Sequence, residues 1–205
     1  MKMKILELRP TQMSVGMKEV EHRIKKMQGM KAKQLEDYLH ERRAPVIKGA
    51  KGRNYIVDHH HLTRACWEMG MQEIPIEFKA DLSHLSLSDL WKAMMASHWL
   101  YPFDQFGRGP HDPIQLPENI RGLADDPYRS LAWMVREANG YEKTDHPFCE
   151  FHWADFFRKN LKIHPVFDQY DDALKAAIKL AKSAEAKHLP GFVEDAPPAK
   201  SNKKA

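Results

Sequence analysis

The stretch Tyr55-Ile56-Val57-Asp58-His59-His60-His61-Leu62-Thr63-Arg64-Ala65-Cys66-Trp67-Glu68-Met69-Gly70 decides the fold. Tyr55, Ile56 and Val57 are aromatic or β-branched and read as a strand. From Leu62 the period changes: Leu62, Ala65, Cys66 and Met69 stand at i, i+3, i+4 and i+7, one face of a helix that Gly70 stops. Asp58 and the three histidines therefore occupy a strand-to-helix junction. Upstream, Pro45-Val46-Ile47 and the turn Gly49-Ala50-Lys51-Gly52 complete a β-hairpin with Tyr55 to Asp58. Downstream, Ile74, Ile76 and Phe78 alternate as a further strand.

On the N-terminal side, Lys4 to Leu8 reads as a short strand leading into the polar turn Arg9-Pro10-Thr11-Gln12. Ser14 can cap a helix whose apolar face is Val20, Ile24 and Met27 and whose stop is Gly29; Leu35, Tyr38 and Leu39 mark a second, shorter helix. Strand, helices, hairpin, helix and strand make an α+β domain spanning residues 1–82. Beyond it the pattern is helical. Ser88 can cap a helix to about Ser97, and a long Pro- and Gly-rich stretch then runs from Leu100 to Leu123, a length that points to function or mobility. Asp126-Pro127 is a helix start, with Leu131, Ala132 and Val135 as its buried stripe and Gly140 as its end. Pro147 opens a helix from Phe148 to about Leu161, and Asp171 or Asp172 opens the last, faced by Leu174, Ala177, Ile178 and Ala181. Residues 83–190 are thus expected as an all-helical extension packed on the open face of the first domain. Residues 191–205 are expected as a solvated, disordered tail.

The chain has 205 residues, 42% of them hydrophobic, which suffices for a packed core and excludes a large multidomain machine. Lys and Arg number 32 against 28 Asp and Glu. Without the three lysines after Asp195, 29 basic residues face 28 acidic ones, so the body is near neutral and lacks a general footprint for duplex nucleic acid. Nucleic acid is accordingly the less favoured partner. No apolar run approaches the roughly 20 residues of a membrane span, and the N-terminus has no apolar core of a secretory signal. Cys66 and Cys149 stand alone within helices, without metal spacing, as suits a reducing compartment. The expected location is the cytoplasm, away from membranes; nothing in the pattern calls for haem, flavin or an Fe–S cluster, and none fixes an oligomeric state.

Three constellations carry chemistry. At the junction, backbone N–H groups and the positive helix end suit an anion, with Asp58 as base or Mg²⁺ ligand and His60 and His61 as proton-exchanging, phosphate-binding groups. Read as structure, Asp58 only caps the helix and the histidines form a polar turn. Zinc is disfavoured, because neighbouring histidines diverge and the i, i+4 helical pair is absent. In the second constellation, Asp125-Asp126-Pro127-Tyr128-Arg129-Ser130, Arg129 and Ser130 bring a guanidinium and a hydroxyl to a helix start, again suited to phosphate; the plain alternative is a surface pair of Arg129 with Asp125 or Asp126. The third is Glu150 to Arg158: Asp155 and Arg158 can pair, and Glu150 shares a face with Trp153 and Phe157, as an anchored carboxylate or a catalytic one.

Pro10-Thr11-Gln12 with Val15-Gly16, Tyr55 to Leu62, Asp126 to Ala132, and Glu150-Phe151 with Trp153-Ala154-Asp155 together resemble the bacterial family described as "Putative ParB-like nuclease", within the ParB/sulfiredoxin superfamily. The resemblance spans about Ile5 to Arg158 and implies a ParB/sulfiredoxin-like N-terminal domain. Partition ParB proteins hold CTP phosphates with an arginine-rich box at this junction, where the present chain has His59-His60-His61-Leu62-Thr63-Arg64-Ala65. Sulfiredoxins carry a cysteine where His60 stands and an arginine where Leu62 stands. Free-serine kinases carry Asp-Gly-His-His-Arg, matched by Asp58, His60 and His61, with Gln12 in place of their catalytic glutamate and Leu62 in place of the arginine.

What the resemblance implies is a phosphate-handling enzyme, a nucleotide-dependent phosphotransferase or hydrolase acting on a small molecule, with Mg²⁺ and a nucleoside triphosphate as cofactors. The expected catalytic residues are Asp58, His60, His61 and Glu150. The expected phosphate ligands are His60, His61, Arg129, Ser130 and Arg158, with Gln12 and Trp153 toward substrate and Asp58 toward the metal. A metal-dependent nuclease using Asp58, Asp126, Glu150 and Asp155 is the alternative, and a non-catalytic nucleotide- or partner-binding module stands beside both.

Overall fold

A computed structural model describes residues 1–162 and 170–194. In chain order the elements are β1 (Lys2–Lys4), β2 (Leu8–Pro10), β3 (Ser14–Val15), α1 (Met17–Gln28), α2 (Ala32–Glu41), β4 (Ala44–Lys48), β5 (Asn54–Ile56), α3 (His60–Glu68), β6 (Glu73–Asp81), α4 (Leu87–Ala96), β7 (Ala124–Asp125), α5 (Pro127–Glu137), α6 (Cys149–Asn160) and α7 (Tyr170–Ala181). The fold is mixed α+β. Its contacts group into two compact units, Met1–Ser130 and Leu131–Ala205. The boundary expected near residue 82 lies inside the first unit, because α4 and the segment after it pack there. The tail from Asp195 lies outside the described residues.

The first unit is built on a sheet of order β1-β6-β4-β5-β2, with β4 and β5 as the antiparallel hairpin and β6 parallel to β4. Alternation along β5 sends neighbouring residues into different clusters. Ile56 joins Val20, Met27, Leu39, Leu62, Ala65 and Cys66, contributed by α1, α2 and α3. Tyr55 joins Leu90, Trp91 and Met94 of α4 with Leu100 and Leu116, and meets Trp91 edge-on at 5.3 Å. The long stretch after α4 thus covers a sheet face, with two 3₁₀ turns at Pro113–Gln115 and Ile120–Gly122. Arg9 anchors it by donating from Nη2 to the carbonyls of Ile114 (3.1 Å) and Leu116 (2.8 Å), and Arg64 donates to that of Leu123 at 3.0 Å.

Three local expectations are corrected. Lys4 to Leu8 is not one strand: β1 and β2 flank a 3₁₀ turn, Ile5–Glu7, and lie at opposite edges of the strand order. A flat sheet would hold those edges about 19 Å apart, beyond the roughly 14 Å that four peptide steps can span, so the sheet curls. Ser14 does not cap α1; it belongs to β3, which pairs in parallel with β7, and Gly16 is the N-cap. Ser86, not Ser88, caps α4, its Oγ accepting from the amide of Asp89. Strand β7 also interrupts the expected all-helical second half.

The second unit is helical and aromatic at its centre. Trp153 is fully buried, stacks on Tyr141 at 4.3 Å and donates from Nε1 to the carbonyl of Pro190 at 2.8 Å. Tyr141 donates from its hydroxyl to the carbonyl of Ala132.

Candidate functional site

The junction forms as its residues dictate and then divides into two environments. Strand β5 ends at Ile56, and His59 takes a left-handed conformation (φ 62°, ψ 26°) that turns the chain into α3. The Asp58 carboxylate accepts from the amide of His59 at 2.6 Å and is exposed. Asp58 and His59 line a cleft of about 510 Å³ with His40, Arg43, Glu77 and Lys79. His60 and His61 point the other way.

Both inward rings serve as acceptors. His60 Nε2 accepts from the amide of Thr11 at 3.2 Å, while Thr11 Oγ1 donates to the carbonyl of Ile56. His61 Nε2 accepts from the amide of Gly16 at 3.0 Å. An imidazole that accepts at Nε2 is neutral, with its proton on Nδ1. Burial, supported by the nearby Arg129 charge, presses His60 down to about 3 and His61 to about 4, so both stay neutral through the physiological range. The expected donors to phosphate thus brace the Pro10–Gly16 segment.

Arg129 is brought beside them. Only 4% exposed, it acts electrostatically on His60, His61 and the buried Glu19. Glu19 lies 3.5 Å from His61 Nε2 and accepts from Arg23 at 2.9 and 2.6 Å. Burial favours its acid form, but with His61 neutral the two guanidinium groups hold the carboxyl below its usual range. Sequence reading missed Glu19 and Arg23. Their signal was the i, i+4 spacing, which marks a solvated pair as readily as a buried one.

The start of α5 is also used internally. Asp126 caps it as expected, with Oδ1 accepting from the amides of Tyr128 (2.9 Å) and Arg129 (3.3 Å). Ser130 Oγ accepts from the amide of Lys18 at 3.1 Å and Asp125 Oδ1 from that of Met17 at 3.0 Å. With His61 on Gly16, the amides of the N-cap and of the first two residues of α1 are held by side chains from α3, the end of β7 and the first turn of α5. A Cβ on Gly16 would stand 2.6 Å from the backbone nitrogen of Ser130, so glycine is required there by close approach. Asp126, buried as a cap, is thereby removed from the acidic set expected for a nuclease. Leu62, 1% exposed, is a core residue.

Gln12 is buried and bridges to Tyr101; its neighbour Met13 lines a second cleft of about 580 Å³ with Gln105, Gln115, Asn119 and Arg121. In the second unit Glu150 is ion-paired with Arg136, and Asp155 with Arg158, as its spacing suggested. Trp153 is a core residue there. Among the described residues, no three His, Cys, Asp or Glu side chains converge as a metal-binding group, and no helix is long and apolar enough to cross a membrane. Cys66 is buried, its thiol pushed up to about 12 by desolvation, and so is inert. His40, Glu41, Arg43, Glu77 and Lys79 are cleft residues that no sequence motif marked.

Residues 1–159 match the model of the family described as "Putative ParB-like nuclease". Among solved structures, the crystal structure of protein Atu1540 from Agrobacterium tumefaciens is similar, with a TM-score of 0.87 and 41% sequence identity over 95% of this chain and 97% of that one. No curated protein matches the chain.

Proposed function

From the premise that the chain belongs to the family described as "Putative ParB-like nuclease", we propose that it is a phosphate-handling enzyme whose reactive centre is the cleft at the start of α3. The reading is a nucleotide-dependent phosphotransferase or hydrolase acting on a small molecule. One observation carries it: the exposed Asp58 carboxylate, fixed by the amide of His59, shares an open cleft with the cations Arg43 and Lys79. A carboxylate at that point serves as general base or as the protein oxygen on Mg²⁺, a metal that takes one or two carboxylates and completes its shell with phosphate oxygens and water. His60 and His61 support the cleft from behind by fixing the Pro10–Gly16 segment. Catalysis by Glu150, and phosphate binding by Arg129, Ser130 and Arg158, drop out of this reading.

Incubation with each nucleoside triphosphate and Mg²⁺ tests it. The expected result is turnover of at least one, lost in Asp58→Asn, which keeps an acceptor for the His59 amide and so keeps the fold. Absence of binding and turnover with all of them would remove the assignment.

The family description favours a second reading, a metal-dependent nuclease centred on Asp58. Cleavage of plasmid or oligonucleotide that persists through repurification and disappears in Asp58→Asn would establish it. Nucleotide binding without turnover would instead mark a binding module.

A further inference from the structure

Resting on the reading of the cleft as a phosphate site, we infer that Arg43 and Lys79 are its phosphate-holding side chains and that the ligand is a magnesium-bound oligophosphate, a di- or triphosphate group. The groups expected from the motifs are engaged elsewhere: His60 and His61 accept backbone amides, and Ser130 accepts from Lys18. Arg129 is buried beside Glu19.

Arg43 is placed for the task. It lies between the end of α2 and the first residue of β4, exposed, with Nε donating to the carbonyl of His40 at 3.2 Å and Nη2 3.0 Å from the His40 ring. These contacts fix the guanidinium against α2. No carboxylate pairs with it among the described residues, although Glu41, Glu77 and Asp58 all line the same cleft. A preorganised guanidinium without a carboxylate is suited to phosphate oxygens.

Register sets the span. Pro45 of β4 is paired with Glu77 of β6, and its carbonyl accepts from the amide of Val57, next to Asp58. The wall carrying Glu77 and Lys79 and the wall carrying Asp58 are therefore two strand spacings apart, about 10 Å. A di- or triphosphate has the length to lie between the two walls and meet side chains from each, which a single phosphate does less readily. The three lining carboxylates would repel such an anion on its own, so a divalent cation carried by the oligophosphate and met by the Asp58 carboxylate completes the charge balance. Lys79, now 3.1 Å from Glu77, moves from that exposed partner to phosphate.

Calorimetric titration of the full chain with pyrophosphate, with and without Mg²⁺, and with ATP tests this. Pyrophosphate is expected to bind only with Mg²⁺, and Arg43→Gln and Lys79→Gln are each expected to weaken it by about tenfold or more. Arg121→Gln, in the second cleft, is expected to change nothing. Arg43 and Lys79 are exposed, so an unchanged melting temperature confirms that the variants fold. Magnesium pyrophosphate bound equally by parent and both variants would overturn the assignment of Arg43 and Lys79 while leaving the Asp58 reading intact. Binding without Mg²⁺ would overturn the role of the carboxylates. No binding of either probe would overturn the inference and the phosphate reading together.

Discussion

His60 and His61 hold backbone amides only while neutral, and this makes them acid-sensitive fasteners. Both rings titrate well below the ordinary 6.5, at about 3 and about 4, chiefly because they are buried. The unfolded chain takes up protons on them as pH falls through about 6.5, whereas the folded chain does not. Their contribution is therefore fully present above about 6.5 and is lost as pH falls toward 4 and then 3. Denaturant melts across that window should show stability falling by a few kcal/mol in order of magnitude. Glu19, held low by Arg23 and Arg129, adds loss of the same sign once pH drops below its unfolded value. His60→Gln and His61→Gln should each lower stability at neutral pH yet flatten its fall with acid; an unchanged slope in both would place the acid sensitivity elsewhere. Arg129 has a related consequence. As an early residue of α5 it reads as exposed, but it is buried, so Arg129→Ala should cost on the order of 2–4 kcal/mol, measured by the denaturant midpoint. An unshifted midpoint would show that the buried charge is dispensable.

The elements meet where α1, α3 and α5 begin. Gly16 lets the backbone of Ser130 approach, and the approach lets Asp125 and Ser130 take the amides of Met17 and Lys18. Gly16→Ala puts a methyl group against backbone rather than a flexible side chain, so it should destabilise by about 1–3 kcal/mol. Ser130→Ala removes only the cap of Lys18 and should cost about 1 kcal/mol. Equal losses in the two variants would mean that capping, not the close approach, dominates the joint. Much of this layer was legible. The stripe Val20, Ile24, Met27 gave α1, the change of period at Leu62 gave α3, and Asp126-Pro127 gave the start of α5, because helices and their caps are local. Ser86 was also legible, since Ser86-Leu87-Ser88-Asp89 carries a capping-box spacing that favours the first serine. Ser14 was not, because its strand partner is Ala124, far along the chain. The site divided in the same way: Asp58 at a strand-to-helix junction follows from periodicity, but which histidine faces the core, and that Arg43 and Lys79 face Asp58, depend on strand order and register.

At the scale of the whole molecule, charge separates a small ligand from a polymer. The body is near neutral, with 29 basic against 28 acidic residues through Asp195, and the proposed cleft offers two full cations, Arg43 and Lys79. Each phosphate contact on duplex DNA steepens the log–log salt dependence of binding by about 0.9, so two cations allow a slope of about −2. The three tail lysines, Lys200, Lys203 and Lys204, could add contacts and bring it to about −4.5. Binding of a duplex oligonucleotide between about 50 mM and about 200 mM salt should therefore be no steeper than that, and should relax to about −2 or less when Ala196–Ala205 is removed. Binding of magnesium ATP should be indifferent to that removal, because the cleft, not the tail, supplies its contacts. A steep slope that survives the truncation would reveal an extended basic surface beyond the cleft. That result would turn the assignment from a small oligophosphate toward nucleic acid, and with it toward the nuclease reading.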